Sequence, residues 1–237
     1  MTASSPSPFP PDAFYHAAKS DADFSAIRYV VVTHSHIDHF YAGDFILRGY
    51  KYAKNMSADR LEIYANAETL EVYRESTRRE LKPEVGEYIS LHEIRTFEPF
   101  SCGEWTIHPL KAKHSSREPM VFLLEKGGKR VLHLHDTGPL PEDSYAYLAQ
   151  IGGSAYDLIT FDCTFLFDSA NENARHMGLD DNLEILRRLK ALGLADEHTK
   201  SVITHFSHNA MPTPERLERA EAEYGVVAAF DGMLLEI

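Results

Sequence analysis

The sequence predicts a layered α/β or α+β fold. Three observations carry that expectation. Short β-branched runs mix along the chain with longer stretches of helical period. A glycine pair, Gly127-Gly128, separates two apolar runs as a hairpin does. No repeat, low-complexity block or linker divides the chain.

Composition agrees. The 237 residues are 43% hydrophobic and 25% charged, which excludes a disordered or fibrous chain. The length suits one domain, or two small ones at most. No apolar run approaches the roughly 20 residues of a membrane helix. Met1 to Pro11 is Ser/Pro-rich without a basic region or apolar core, unlike a secretory signal. The 2 cysteines make no disulfide scaffold, and the expected setting is cytoplasmic. With 24 basic and 36 acidic side chains the net charge is −12, which argues against a broad nucleic-acid surface but leaves room for a small basic cleft. The 13 histidines are the unusual item.

In order, residues 1–26 read as a tail with a short helix over Asp12 to Ser20, and residues 27–237 as the domain. Arg28 to Thr33 is a β-branched run of buried type, and Leu61 to Ala65 a second strand. A polar helix covers Glu68 to Leu81, stopped by Pro83. Ile89 to Glu98 and Thr106 to Ala112 read as strands, and Met120 to Glu125 with Arg130 to His135 as the hairpin. Glu142 to Ile151 is helical and ends at Gly152-Gly153. Tyr156 to Phe161 is a buried strand. Asp180 to Leu192 is an amphipathic helix capped by Asp180, with Leu183, Leu186, Leu189 and Leu192 on one face. Ser201 to Thr204 is a short strand, and Thr213 to Tyr224 a helix with Pro214 in its first turn and Gly225 past its end. Val226 to Ile237 closes the chain as one or two strands around Asp231-Gly232.

Chemistry concentrates in Thr33-His34-Ser35-His36-Ile37-Asp38-His39. Four potential ligands fall directly after a buried strand, where a loop can fan its side chains toward one point. Imidazoles with a carboxylate suit borderline divalent metals. Three later strand ends carry His114 (after Lys113), Asp136 and His205, where functional loops on a sheet usually sit. Together these supply seven ligands, enough for two metals sharing a carboxylate. His133 and His135 alternate on the strand leading to Asp136 and so share a face. Lys111, Lys113, Arg117 and Arg175 lie near these loops and can form a local positive funnel. His16, His92, His108 and His198 have no constellation around them and read as structural. Cys102 and Cys163 read as buried, inert thiols, although Cys163, beside Asp162, stands at a strand end.

The string His34-x-His36-x-Asp38-His39, followed in order by His114, Asp136 and His205, resembles the signature of the metallo-β-lactamase superfamily. The resemblance runs from about Ile27 to Ile237, and Ala229-Phe-Asp-Gly-Met233 resembles the closing segment of its phosphodiesterase branch. It implies an αββα sandwich with two metals at one edge. By position, His34, His36 and His114 hold the first metal. Asp38, His39 and His205 hold the second, and Asp136 bridges them. A carboxylate at the position of His36 would point to redox diiron chemistry, and a Cys at Asp136 to antibiotic hydrolysis; neither is present. Arg175 to Asp180 and Thr204 to Asn209 resemble the branch that includes the cyclic-phosphate phosphodiesterase accessory to carbon–phosphorus lyase. By that likeness His176 faces the phosphate or the leaving oxygen, with His208 beside it.

The implied function is a dinuclear hydrolase of a small or cyclic phosphodiester, with a hydroxide held between the metals attacking phosphorus in line. Asp38 also orients that nucleophile. Zn²⁺ is the first expectation, with Mn²⁺ or Fe²⁺ open. The alternatives are a ribonuclease of the transfer-RNA-processing type, a thioester or lactone hydrolase, and a non-catalytic metal-binding domain. Family members usually open with several strands before the His-rich loop, and here only 33 residues precede His34. A shortened first sheet leaves an open edge, which points to a homodimer or to reduced stability.

Overall fold

The structure is a computed structural model that describes residues 9–19, 23–49, 52–168 and 174–237. The Ser/Pro-rich residues 1–8 and the end of the first predicted helix, Ser20, lie outside them. The chain divides into two compact units. One runs to Arg95 and includes Ser116–Glu118; the other comprises Thr96–Ser115 and Pro119–Ile237.

The first unit holds α1 (Ala13–Lys19) and a parallel three-stranded sheet of β1 (Tyr29–Val31), β2 (Leu61–Ala65) and β3 (Ile89–Glu93), in that spatial order. Alternate residues Leu61, Ile63 and Ala65 of β2 are buried. They form one core with Leu70 and Tyr73 of α2 (Ala67–Thr77). Asn66 caps α2 by accepting from the Thr69 N–H at 2.8 Å. α2 stops at Thr77, short of Leu81, and Pro83 opens the one-turn helix α3 (Pro83–Gly86), because its fixed φ and missing N–H suit a first turn. β3 ends at Glu93, so the strand predicted to Glu98 is shorter than expected. A 3₁₀ stretch over Ala42–Leu47 escaped the sequence reading. Phe9 forms a single parallel bridge to Phe40: its N–H donates to the His39 carbonyl, and its own carbonyl accepts from Tyr41.

The second unit is a seven-stranded sheet. β4 (Phe100–Cys102), β5 (Trp105–Lys111), β6 (Met120–Lys126) and β7 (Lys129–Leu134) pair antiparallel. β8 (Leu158–Asp162), β9 (Lys200–Thr204) and β10 (Val227–Ala228) then add parallel to β7 in sequence. Gly127 and Gly128, at φ 59° and 80°, make the β6–β7 turn. One core joins these strands to α4 (Glu142–Ile151), α5 (Leu179–Ala191) and α6 (Pro214–Tyr224). Thr213 caps α6 and Gly225 ends it in the left-handed region.

Four expectations need correction here. The buried face of α5 is Leu179, Asn182, Ile185 and Leu189, while Leu183 and Leu192 are exposed. Steps of three drift by about 60° each on a helix of 3.6 residues per turn, so leucines from 183 to 192 cannot share one face. Asp180 is not the cap: Gly178 is, and Asp181 reaches back to the Gly178 N–H at 3.0 Å. The strand predicted from Tyr156 begins at Leu158. Past Ala228 no further strand forms; the Ala229 N–H makes the last backbone hydrogen bond to β9, to the Ile203 carbonyl, and a turn at Asp231-Gly232 follows. Among the described residues no helix is long and apolar enough to cross a membrane.

Candidate metal centre

In the first unit, the loop after β1 carries the His-rich string. Thr33 and His34 are buried, and Thr33 Oγ1 lies 3.0 Å from His34 Nδ1. The amides of His39 and Phe40 both donate to the His36 carbonyl, curling the loop into a turn. That turn brings three imidazoles together: the His34 ring centroid lies 4.5 Å from that of His36 and 4.4 Å from that of His39. Asp38 is exposed, with Oδ2 3.5 Å from His39 Nε2.

In the second unit, β7, β8 and β9 run parallel and end side by side, with Leu134 opposite Phe161 and Asp162 opposite Thr204. Asp136, Asp162 and His205 therefore emerge at neighbouring strand ends. Asp136 and His205 both take positive φ, 55° and 61°, a conformation that costs a non-glycine residue and clusters at functional sites. Asp136 is buried, with its two oxygens facing different partners. Oδ2 lies 3.1 Å from His114 Nε2; Oδ1 lies 3.0 Å from His176 Nδ1 and 3.8 Å from His205 Nε2. Ligand atoms of Asp136, Asp162, His176 and His205 all lie within 4.8 Å of one another. The loops are pressed together to reach this geometry. A Cβ on Gly138 would fall on the Ala174 carbonyl, and His114 Nδ1 lies 3.1 Å from the Arg175 carbonyl.

Asp162, fully buried, is the residue the sequence reading did not single out. Its Oδ1 accepts from the backbone N–H groups of Thr164 at 2.9 Å and Met177 at 3.2 Å. Its Oδ2 accepts from Thr137 N–H at 3.3 Å and lies 3.0 Å from His176 Nδ1. Three loops are thus tied to one carboxylate. The available signal was its place as a polar residue ending an apolar strand, the same signal that marked Asp136 and His205. Hydrogen bonds to Asp136 and Asp162 push the His176 imidazole up to about 10 against the opposing effect of burial. In the metal-free protein a single imidazolium thus stands between two buried carboxyl groups, a position where positive charge is favoured.

His208 is exposed on a 3₁₀ turn (His208–Ala210), and its side chain makes no hydrogen bond or ion pair among the described residues. The rings of His133 and His135 lie 3.8 Å apart, with His133 Nδ1 3.1 Å from Thr160 Oγ1. Lys111 pairs with Asp143 at 3.2 Å. Cys163 is fully buried; burial, with the Asp162 charge adding, pushes its thiol up to about 12, which makes it inert.

A model described as a beta-lactamase superfamily domain matches residues 5–206. The chain belongs to the metallo-β-lactamase superfamily. No curated protein matches it. Solved structures of the superfamily fold do. A diphosphatase of the PhnP family aligns with TM-score 0.68 at 20% identity, over 97% of this chain and 78% of the other. Zn²⁺-bound PqqB from Methylobacterium extorquens aligns with TM-score 0.67 at 15% identity, over 97% and 82%. The short form of human tRNase Z aligns with TM-score 0.65 at 15% identity, over 85% and 81%. At these identities the likeness shows the fold, and the predicted αββα class is that of the superfamily. Within this metallo-β-lactamase chain, the His/Asp cluster of the second unit has the donor chemistry that divalent metals take.

Proposed function

We propose that this chain is a dinuclear metal-dependent hydrolase acting on a small or cyclic phosphodiester. The observation that carries the reading is Asp136: a buried carboxylate with one oxygen beside His114 and the other beside His205, as a bridging ligand requires. In this reading His34, His36 and His114 hold one metal, Asp38, His39 and His205 hold the other, and Asp136 serves both. Zinc is the proposed metal, and the donor set also suits manganese or iron. When bound, such a pair supplies positive charge to a phosphoryl group and lowers the pKa of an attacking water.

The chain's own groups supply the rest. Asp162, held by three backbone N–H groups, accepts from His176 Nδ1 and so fixes the ring. The His176 imidazolium then carries its second proton at Nε2, where it can pass to a departing oxygen. Asp38 orients the nucleophile, and His208 stands by to contact phosphate. The likeness in fold to a diphosphatase of the PhnP family is in keeping with a phosphoryl substrate.

Purified protein is expected to contain about two metals per chain and to cleave a bis-aryl phosphate. Full activity after metal stripping, or in Asp136→Ala, would falsify the reading. A panel of cyclic nucleotide, precursor transfer RNA, thioester and lactone separates the substrate classes. Metal content without turnover on any of them would leave a non-catalytic metal-binding domain.

A further inference from the structure

Thr164 follows β8 by two residues, and its hydroxyl meets two histidines. Oγ1 lies 2.9 Å from His205 Nδ1, 3.0 Å from the His205 carbonyl oxygen and 3.3 Å from His176 Nδ1. Its backbone is fixed because its N–H donates to Asp162. A hydroxyl has one hydrogen and two lone pairs. The carbonyl oxygen can only accept, so the Thr164 hydrogen goes to it. The 2.9 Å contact to the ring then needs a hydrogen from the imidazole, so His205 Nδ1 donates to Oγ1. A neutral imidazole carries one N–H, which puts the lone pair of His205 on Nε2. Nε2 is the nitrogen on the Asp136 side, 3.8 Å from Oδ1; Nδ1 also lies 3.6 Å from Asp162 Oδ2, beyond hydrogen-bond distance, so the Thr164 hydroxyl is its close partner. His205 has a left-handed backbone, and its ring and its own carbonyl share the one hydroxyl. The second Oγ1 lone pair faces His176 Nδ1, which carries its hydrogen because two carboxylate oxygens lie 3.0 Å away.

We propose that Thr164 is a positioning residue that locks His205 in the Nδ1–H tautomer and so presents Nε2 as a ligand atom to a divalent cation. The lock is independent of bound metal; its use rests on the reading of His205 as a ligand. Valine matches threonine in shape and removes the hydroxyl, and serine keeps the hydroxyl.

The test is a long-range ¹H–¹⁵N correlation of the histidine rings in metal-free, full-length protein, at a pH where His205 is neutral. Zn²⁺ affinity is measured alongside by competition with a chromophoric chelator. Wild type and Thr164→Ser are expected to show His205 protonated at Nδ1. Thr164→Val is expected to shift protonation to Nε2 and to weaken Zn²⁺ binding roughly 10–100-fold, with Thr164→Ser restoring it. Nε2 protonation in the wild-type protein overturns the proposal without any variant. So does a Thr164→Val protein with wild-type tautomer and wild-type Zn²⁺ affinity. A wild-type protein that shows Nδ1–H yet binds no Zn²⁺ upholds the lock and removes the metal reading instead.

Discussion

Asp162 turns a set of strand ends into one site. A carboxylate that accepts three backbone N–H groups is held in one orientation, and its remaining capacity goes to His176. Asp162→Asn is expected to cut turnover on a bis-aryl phosphate by roughly 10²–10⁴-fold, the range of a general acid. Metal content should be kept, which elemental analysis of the purified variant checks. Tyr73 gives a pH prediction away from the site. Burial pushes its phenol from 10.0 up to about 12. Folding therefore favours the neutral phenol, and this contribution is present below pH 10.0 and lost as pH rises toward about 12. Urea unfolding of wild type and Tyr73→Phe across that window should show the wild type losing more stability. Equal losses would mean that the phenol is not held neutral.

At the scale of elements, the adjacent ends of β7, β8 and β9 bring residues 136, 162 and 205 together although 26 and 43 positions separate them in the chain. α5 shares the core of that sheet through Ile185 and Leu189. Leu189→Ala is expected to destabilise by about 2–5 kcal/mol, and the exposed Leu183→Ala to stay within about 0.5 kcal/mol. Chemical denaturation of both variants checks which face is buried. The turn after β7 needs Gly138, because a Cβ there meets the Ala174 carbonyl. Gly138→Ala should cost about 1–3 kcal/mol and loosen the loops that carry Asp136 and His176.

For the whole molecule, a ligand that binds only the folded chain stabilises it by mass action. Zn²⁺ added to metal-free protein should raise the melting temperature with concentration, and Asp136→Ala should show a smaller rise. Thermal scans of the two proteins over a Zn²⁺ series read this directly; identical shifts would remove Asp136 from the ligand set. The net charge of −12 says little about the substrate, since local groups such as a protonated His176 set the charge at the site.

The sequence by itself determined the periodic elements and the clustered chemistry. Glu142–Ile151 and Pro214–Tyr224 were legible because Gly152, Thr213 and Gly225 mark their ends locally. The string from His34 to His39 was legible because its ligands are neighbours in the chain. Tertiary structure decided what depends on who stands beside whom. Val226–Ile237 has strand-like residues, but its pairing stops at Ala228, opposite Ile203, because β9 itself ends at Thr204. Pro83 begins a turn because a helix start is available to it there. Asp162 carries only the signal of a polar residue ending an apolar strand, and Thr164 carries none. Their roles come from three parallel strands ending at one level, which places one carboxylate and one hydroxyl within hydrogen-bond reach of two histidines distant in sequence.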